Sequence, residues 1–128
     1  MKPGGSIGIA GAAMIREIDG DVPDHLRAWW TPDCWCLHSA AWWRRHWDKT
    51  GLVTVETADA LPDGWTYWRD WLKLIAPENT TEIAAVEADA GRYFGYVRCV
   101  GRRRPDAALQ DPVEAVPVEY TKRPLLRS

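Results

Sequence analysis

Apolar positions along this chain alternate between two periods, and each change of period marks an element. Residues 6–13 (SIGIAGAA) form an uncharged run of small and apolar side chains, the pattern of a strand buried on both faces of a sheet. A Pro3-Gly4-Gly5 turn precedes it, a connection that normally brings a chain onto a sheet from a helix. The strand is therefore expected to lie inside a domain, with the chain starting partway through it. Residues 16–24 turn polar, with Asp19-Gly20 as a turn and Pro23 as a brake. Residues 24–30 are expected to make one or two helical turns with Asp24 as N-cap, ended by Thr31-Pro32-Asp33.

A period of 3.6 then takes over. Behind Ser39 as N-cap, Trp43, His46, Trp47 and Thr50 recur at i, i+3, i+4 and i+7, predicting one apolar helix stripe. Arg44, Arg45, Asp48 and Lys49 fall off that stripe, and Gly51 supplies the left-handed stop. Residues 52–57 (LVTVET) are β-branched and strand-like. After a turn at Leu61-Pro62-Asp63-Gly64, the residues Trp65, Trp68, Leu72 and Ile75 are spaced as a second helix, with Trp71 beside them in the expected core. Asn79 and Glu82 have capping-box spacing and open a third helix, expected to run through Ala90 and stop at Gly91. Residues 93–101 (YFGYVRCVG) are the last strand, and 105–128, with four prolines and no periodicity, are expected to be a disordered tail.

Composition narrows the classes. A chain of 128 residues with a net charge of −2 is at most one domain and has no global attraction for nucleic acid or anionic lipid. The Arg102-Arg103-Arg104 run is local and reads as a solvated strand end. WWRRHW beside these arginines would suit single strands, but the sequence pI near 5.9 argues against nucleic acid as a partner. No stretch approaches the ~20 apolar residues of a membrane span, and no signal peptide is evident. Three cysteines make no disulfide framework, which points to a reducing, cytoplasmic setting. The unusual feature is nine tryptophans against one phenylalanine, all between Trp29 and Trp71. That window is either a dense core or an aromatic-lined pocket.

Cys34, Cys36 and His38 alternate, and on an extended segment would share one face as thiolate and imidazole zinc ligands. No fourth ligand is near in sequence and the cysteine spacing is short for zinc, so no metal is expected. His38 is the strongest general-base candidate in the chain and His25 the second. Trp30, Trp35, Trp65 and Trp68, in loops or helices of the Trp-rich region, are the candidates for lining a substrate pocket.

Taken in order, these segments resemble the C-terminal portion of a class I S-adenosylmethionine-dependent methyltransferase, of the small-molecule kind found in ubiquinone and menaquinone biosynthesis and in cyclopropane synthases. Residues 1–13 resemble the Leu-Lys-Pro-Gly-Gly turn and fifth strand of that family. Residues 39–51 resemble the helix that follows, 52–57 the sixth strand and 93–101 the seventh. The resemblance spans residues 1–104, with Trp-rich segments 24–37 and 65–90 where the family inserts helices over its active site. It implies an α/β, Rossmann-like sheet with three strands, the last antiparallel in the middle, plus about four helices. It also implies methyl transfer from S-adenosylmethionine to a small-molecule acceptor.

The family holds its cofactor with a strand, a Gly-rich loop and a helix, followed by an acidic residue for the ribose. No such unit is present: Gly5, Gly8 and Gly11 are evenly spaced by three and lie in or before a strand. No residue of this chain is therefore assigned to cofactor binding, and the chain alone is expected to be inactive, a truncated domain. An unpaired strand at residues 6–13 would be a sheet edge prone to self-association. The alternative is a stand-alone Trp-rich binding or interaction module without catalysis.

Overall fold

The computed structural model describes residues 2–107. Met1 and residues 108–128, most of the expected tail, lie outside the described residues; residues 105–107 close a turn through Ala107 N–H to Arg104 O at 3.2 Å. Three strands and three α-helices follow in the order β1 (Ser6–Met14), α1 (Ala40–Lys49), β2 (Val53–Ala60), α2 (Gly64–Ile75), α3 (Thr80–Asp89) and β3 (Phe94–Arg103). The sheet order is β1-β3-β2, and β3 is antiparallel to both neighbours, so β1 and β2 run in the same direction on either side of it. Glu56 is the extra residue of a bulge between the Val55–Gly101 and Thr57–Val100 pairs.

Residues 24–36 depart from expectation. Two 3-10 turns, Asp24–Leu26 and Pro32–Cys36, replace the expected short helix, and Pro23 rather than Asp24 occupies the cap. Prolines at 23 and 32 bracket too few residues to nucleate an α-helix. The α1 boundaries follow the sequence closely. The Ser39 hydroxyl accepts from Trp42 N–H at 3.3 Å, and Gly51 takes φ +67°. In α3 the capping box does not close. Glu82 instead takes the Asn79 side-chain amide at 2.6 Å and the Trp68 indole N–H at 3.0 Å, tying α3 to α2.

Side-chain alternation on β3 divides the core. Phe94 and Tyr96 face α2 and α3, where Phe94, Met14, Leu26, Trp68, Leu72 and Val86 form the main apolar cluster. Val97, Cys99 and Gly101 face the other side, where Trp47 of α1 lies on Gly101 so closely that an added Cβ would sit 3.2 Å from its ring. α1 packs on β2 and β3, while α2 packs on β3 and α3. Among the described residues no helix lies over β1, so the expectation of a strand buried on both faces is not met over Ser6–Ala12; burial begins at Ala13 and Met14.

The hydrogen-bond phase of β1 shows which groups its edge presents. Arg103 N–H donates to Gly5 O at 2.8 Å and Ile15 N–H to Tyr93 O at 2.6 Å. Odd-numbered residues therefore turn their backbone groups toward β3, and even-numbered ones (Ser6, Gly8, Ala10, Ala12) turn them outward. Met14 N–H, next in that outward series, donates to His38 O at 3.3 Å. Ile7 and Ile9 stand beside this edge at 42% and 40% exposure.

The Trp-rich α2 is apolar on two sides. Gly64, Trp68 and Leu72 are buried. Trp71, expected in the core, is 56% exposed and shares the outer face with Tyr67, Leu74 and Ile75. No helix is long and apolar enough to cross a membrane among the described residues.

Candidate functional site

A polar cluster forms where β1 ends. The chain leaves Met14 through Ile15 and Arg16, and Glu17 turns back toward the start of α1. Its Oε1 accepts both the Ser39 N–H at 2.8 Å and the Ser39 hydroxyl at 2.9 Å. Its Oε2 lies 3.1 Å from His38 Nδ1. Partial burial pushes the Glu17 carboxyl up, but the Ser39 N–H, the His38 ring and the Ser39 hydroxyl outweigh it and hold it below the ordinary value of 4.5. A carboxylate only accepts, so Nδ1 of His38 is the protonated nitrogen of this contact.

The His38 ring is fixed from a second direction. It stacks on the Trp42 indole at 3.8 Å between centroids and 8° between planes, and Trp42 stacks in turn on His46 at 4.8 Å. This ladder at i, i+4 and i+8 uses the solvent side of α1. His46 is therefore exposed and not part of the sheet-facing stripe, which the half-buried Trp43 and Trp47 supply.

Glu17 and His38 line one side of a pocket of about 20 Å³, completed by Met14, Ile18, Leu37, Trp30 and Trp35. That volume holds a single water-sized group. Trp30 and Trp35 meet edge to face at 5.1 Å, and Trp35 remains 49% exposed, extending an aromatic wall outward from the pocket. The Trp30 Nε1 is buried and has no acceptor among the described residues.

Of the sequence candidates, His38, Trp30 and Trp35 come together here. Trp68 does not: it is 6% exposed, packed edge-on to Trp29 and tilted on Phe94, and its indole N–H is committed to Glu82. Trp65 lies against Gly91, whose added Cβ would sit 2.5 Å from the indole Cδ1, with the Arg69 guanidinium 5.1 Å from the ring centroid. Both serve packing around α2. His25, the second base candidate, is held by Asp89 at 2.7 Å.

The Cys34, Cys36 and His38 alternation is broken by the 3-10 turn. Cys34 is buried with its Sγ accepting from Thr31 N–H at 3.4 Å, while Cys36 is exposed. No group of three metal-ligating side chains gathers among the described residues. Burial pushes the Cys99 thiol up beneath α1, so it offers no thiolate. The arginine run is engaged: Arg102 donates to Glu56 at 2.7 Å and Arg104 lies 3.4 Å from Asp106.

Sequence reading missed two residues that organise this region. Glu17 sits in what reads as a polar loop and reaches His38 only because the chain reverses at the end of β1. Asp89 closes a helix, yet its carboxyl is fully buried and accepts from Tyr93 N–H at 2.9 Å, Phe94 N–H at 2.8 Å and His25. A glutamate in a loop ahead of a Ser N-cap was the only sequence signal for the first, and the second carried none. Neither a protein-family model, nor a curated protein, nor a solved structure matches the chain.

Proposed function

We propose that these residues form the acceptor side of a Rossmann-like methyltransferase sheet that transfers methyl from S-adenosylmethionine to a small molecule, with the cofactor half outside this chain. The strand order carries the reading. Two same-direction strands, β1 and β2, are separated by an antiparallel third that comes last in sequence, which is the arrangement the resemblance implies. In open α/β sheets ligands gather at the carboxyl ends of parallel strands, and the Glu17–His38 pocket lies at that end of β1.

The described residues do not fit the cofactor. Gly8 and Gly11 lie inside β1, and neither precedes a helix N-terminus as a nucleotide loop would. This chain's own contribution is therefore limited to the acceptor. Trp30 and Trp35 hold its apolar body, and His38 takes its proton where the reacting group is a hydroxyl or an acidic carbon.

The outward groups of Ser6, Gly8, Ala10 and Ala12 are where a neighbouring strand would add, and in its absence a second copy of the chain pairs there. The test combines calorimetric titration of S-adenosylmethionine with light scattering. The isolated chain is expected to self-associate and to bind no cofactor. Joined behind the four-strand cofactor half of a class I methyltransferase, it is expected to give a monomer that binds one equivalent. Saturable binding to the isolated monomer, or a joined protein that stays aggregated, would overturn the reading.

A second reading is a stand-alone interaction module, and the outer face of α2 favours it. Tyr67, Trp71, Leu74 and Ile75 expose a contiguous apolar surface that no described element covers. A cooperative, monomeric isolated chain with no need of a second half would support this module.

A further inference from the structure

Glu17 makes more contacts than a helix cap requires. Capping of α1 accounts for Oε1, which takes the Ser39 N–H and hydroxyl at 2.8 and 2.9 Å. It does not account for Oε2, directed at His38 Nδ1 at 3.1 Å, nor for the flat Trp42 ring beneath the imidazole at 3.8 Å. The carboxylate and the indole together define the ring's tautomer, its rotation and its plane. A proton acceptor needs all three fixed.

We infer that Glu17 is a positioning residue for His38, keeping the imidazole proton on Nδ1 so that Nε2 is the basic nitrogen, and that the group deprotonated there is an acceptor hydroxyl. The inference rests on the methyltransferase reading for the reaction, though not for the tautomer. The pocket of about 20 Å³ admits one oxygen-sized group and no more. The Trp30 ring forms part of the wall around that group. In the step, the hydroxyl O–H bond breaks and its proton passes to Nε2. The electron pair stays on oxygen, and the imidazolium is balanced by the Glu17 carboxylate across Nδ1. Both Glu17 oxygens are already engaged, Oε1 by Ser39 and Oε2 by His38, so its part in the step is taken through His38.

The experiment is ¹⁵N NMR of the imidazole rings in the isolated chain, without cofactor or acceptor. With only three histidines the signals are assignable from His25→Gln and His46→Gln variants. At a pH where His38 is neutral, wild type is expected to show a protonated-type shift at Nδ1 and an unprotonated-type shift at Nε2. Glu17→Ala is expected to exchange the two, because a free imidazole favours its proton on Nε2. Ser39→Ala, which loosens the cap and leaves the Oε2 contact in place, is expected to keep the wild-type pattern. A wild-type His38 protonated on Nε2, or a Ser39→Ala variant that switches tautomer as Glu17→Ala does, would overturn the inference. Because no cofactor is present, that failure is separate from failure of the methyltransferase reading, which the S-adenosylmethionine titration decides.

Discussion

Removing the Asp89 carboxyl is expected to be among the most damaging single changes in this domain. Asp89 is fully buried, and one side chain serves three donors on two segments. Its Oδ2 accepts from Tyr93 N–H and Phe94 N–H, which fixes the turn from α3 into β3. Its Oδ1 meets His25 Nε2 at 2.7 Å, which anchors the 3-10 turn that carries Leu26 into the core. In Asp89→Ala, Phe94 N–H loses its partner in a fully buried setting and Tyr93 N–H in a partly buried one. At about 1–3 kcal/mol for each stranded donor, the two amount to roughly 2–6 kcal/mol. We expect a loss near 4 kcal/mol, against a total of about 5–15 kcal/mol for an ordinary domain. Asp89→Asn keeps an oxygen for the two N–H groups and turns its amide to His25, so about 1–2 kcal/mol is expected. Urea unfolding followed by tryptophan fluorescence reads both, since Trp29 and Trp68 pack on Phe94. Two protein concentrations keep association out of the result. A loss below about 1 kcal/mol for Asp89→Ala would refute the reasoning, because it would mean that water or a shifted backbone satisfies those donors at little cost.

Trp68 and Trp71 lie one turn apart on α2 and test its two faces: Trp68→Ala should cost about 3–5 kcal/mol and Trp71→Ala less than about 0.5 kcal/mol by the same assay. Gly91 sits at φ +81° with its Cβ direction filled by Trp65, so Gly91→Ala should cost roughly 2–4 kcal/mol, and a neutral result would mean the turn can shift away from the indole. The Glu17 carboxyl is held below its ordinary value, so its contribution to stability is complete above pH 4.5 and is lost as pH falls through the lower folded value. Denaturation midpoints across that acid window should fall in wild type and flatten in Glu17→Gln. Ile9→Lys adds a charge beside the outer β1 edge and should lower the self-associated fraction in light scattering without changing the circular dichroism spectrum. Unchanged association would place the contact elsewhere.

Local signals settled the elements whose causes lie within a few residues. Ser39 and Gly51 bound α1 because a cap hydroxyl and a left-handed glycine act on their own turn, and the three strands follow from short apolar runs between turn residues. The strand order expected, with the last strand between the other two, is the one observed: β3 lies between β1 and β2 and is antiparallel to both. What the sequence did not contain was burial set by distant partners. Ser6–Ala12 reads as a two-sided core strand, yet no described helix crosses it. Trp68 and Trp71 look alike by period, yet only Trp68 faces β3. Cys34 and Cys36 alternate on paper, but a 3-10 turn separates them.

The Glu17–His38 cluster divides along the same line. His38, Trp30 and Trp35 were legible from residue type and position. Glu17 was not, because 21 residues separate it from His38 and only the reversal at the end of β1 brings the two within 3.1 Å. Asp89 was illegible for the same reason, lying 64 residues from His25. Sequence alone determines capping, turn chemistry and periodicity, which depend on neighbours along the chain. The partners of a buried charge, the covered face of a strand and the orientation of an imidazole depend on neighbours in space, so only the tertiary structure decided them.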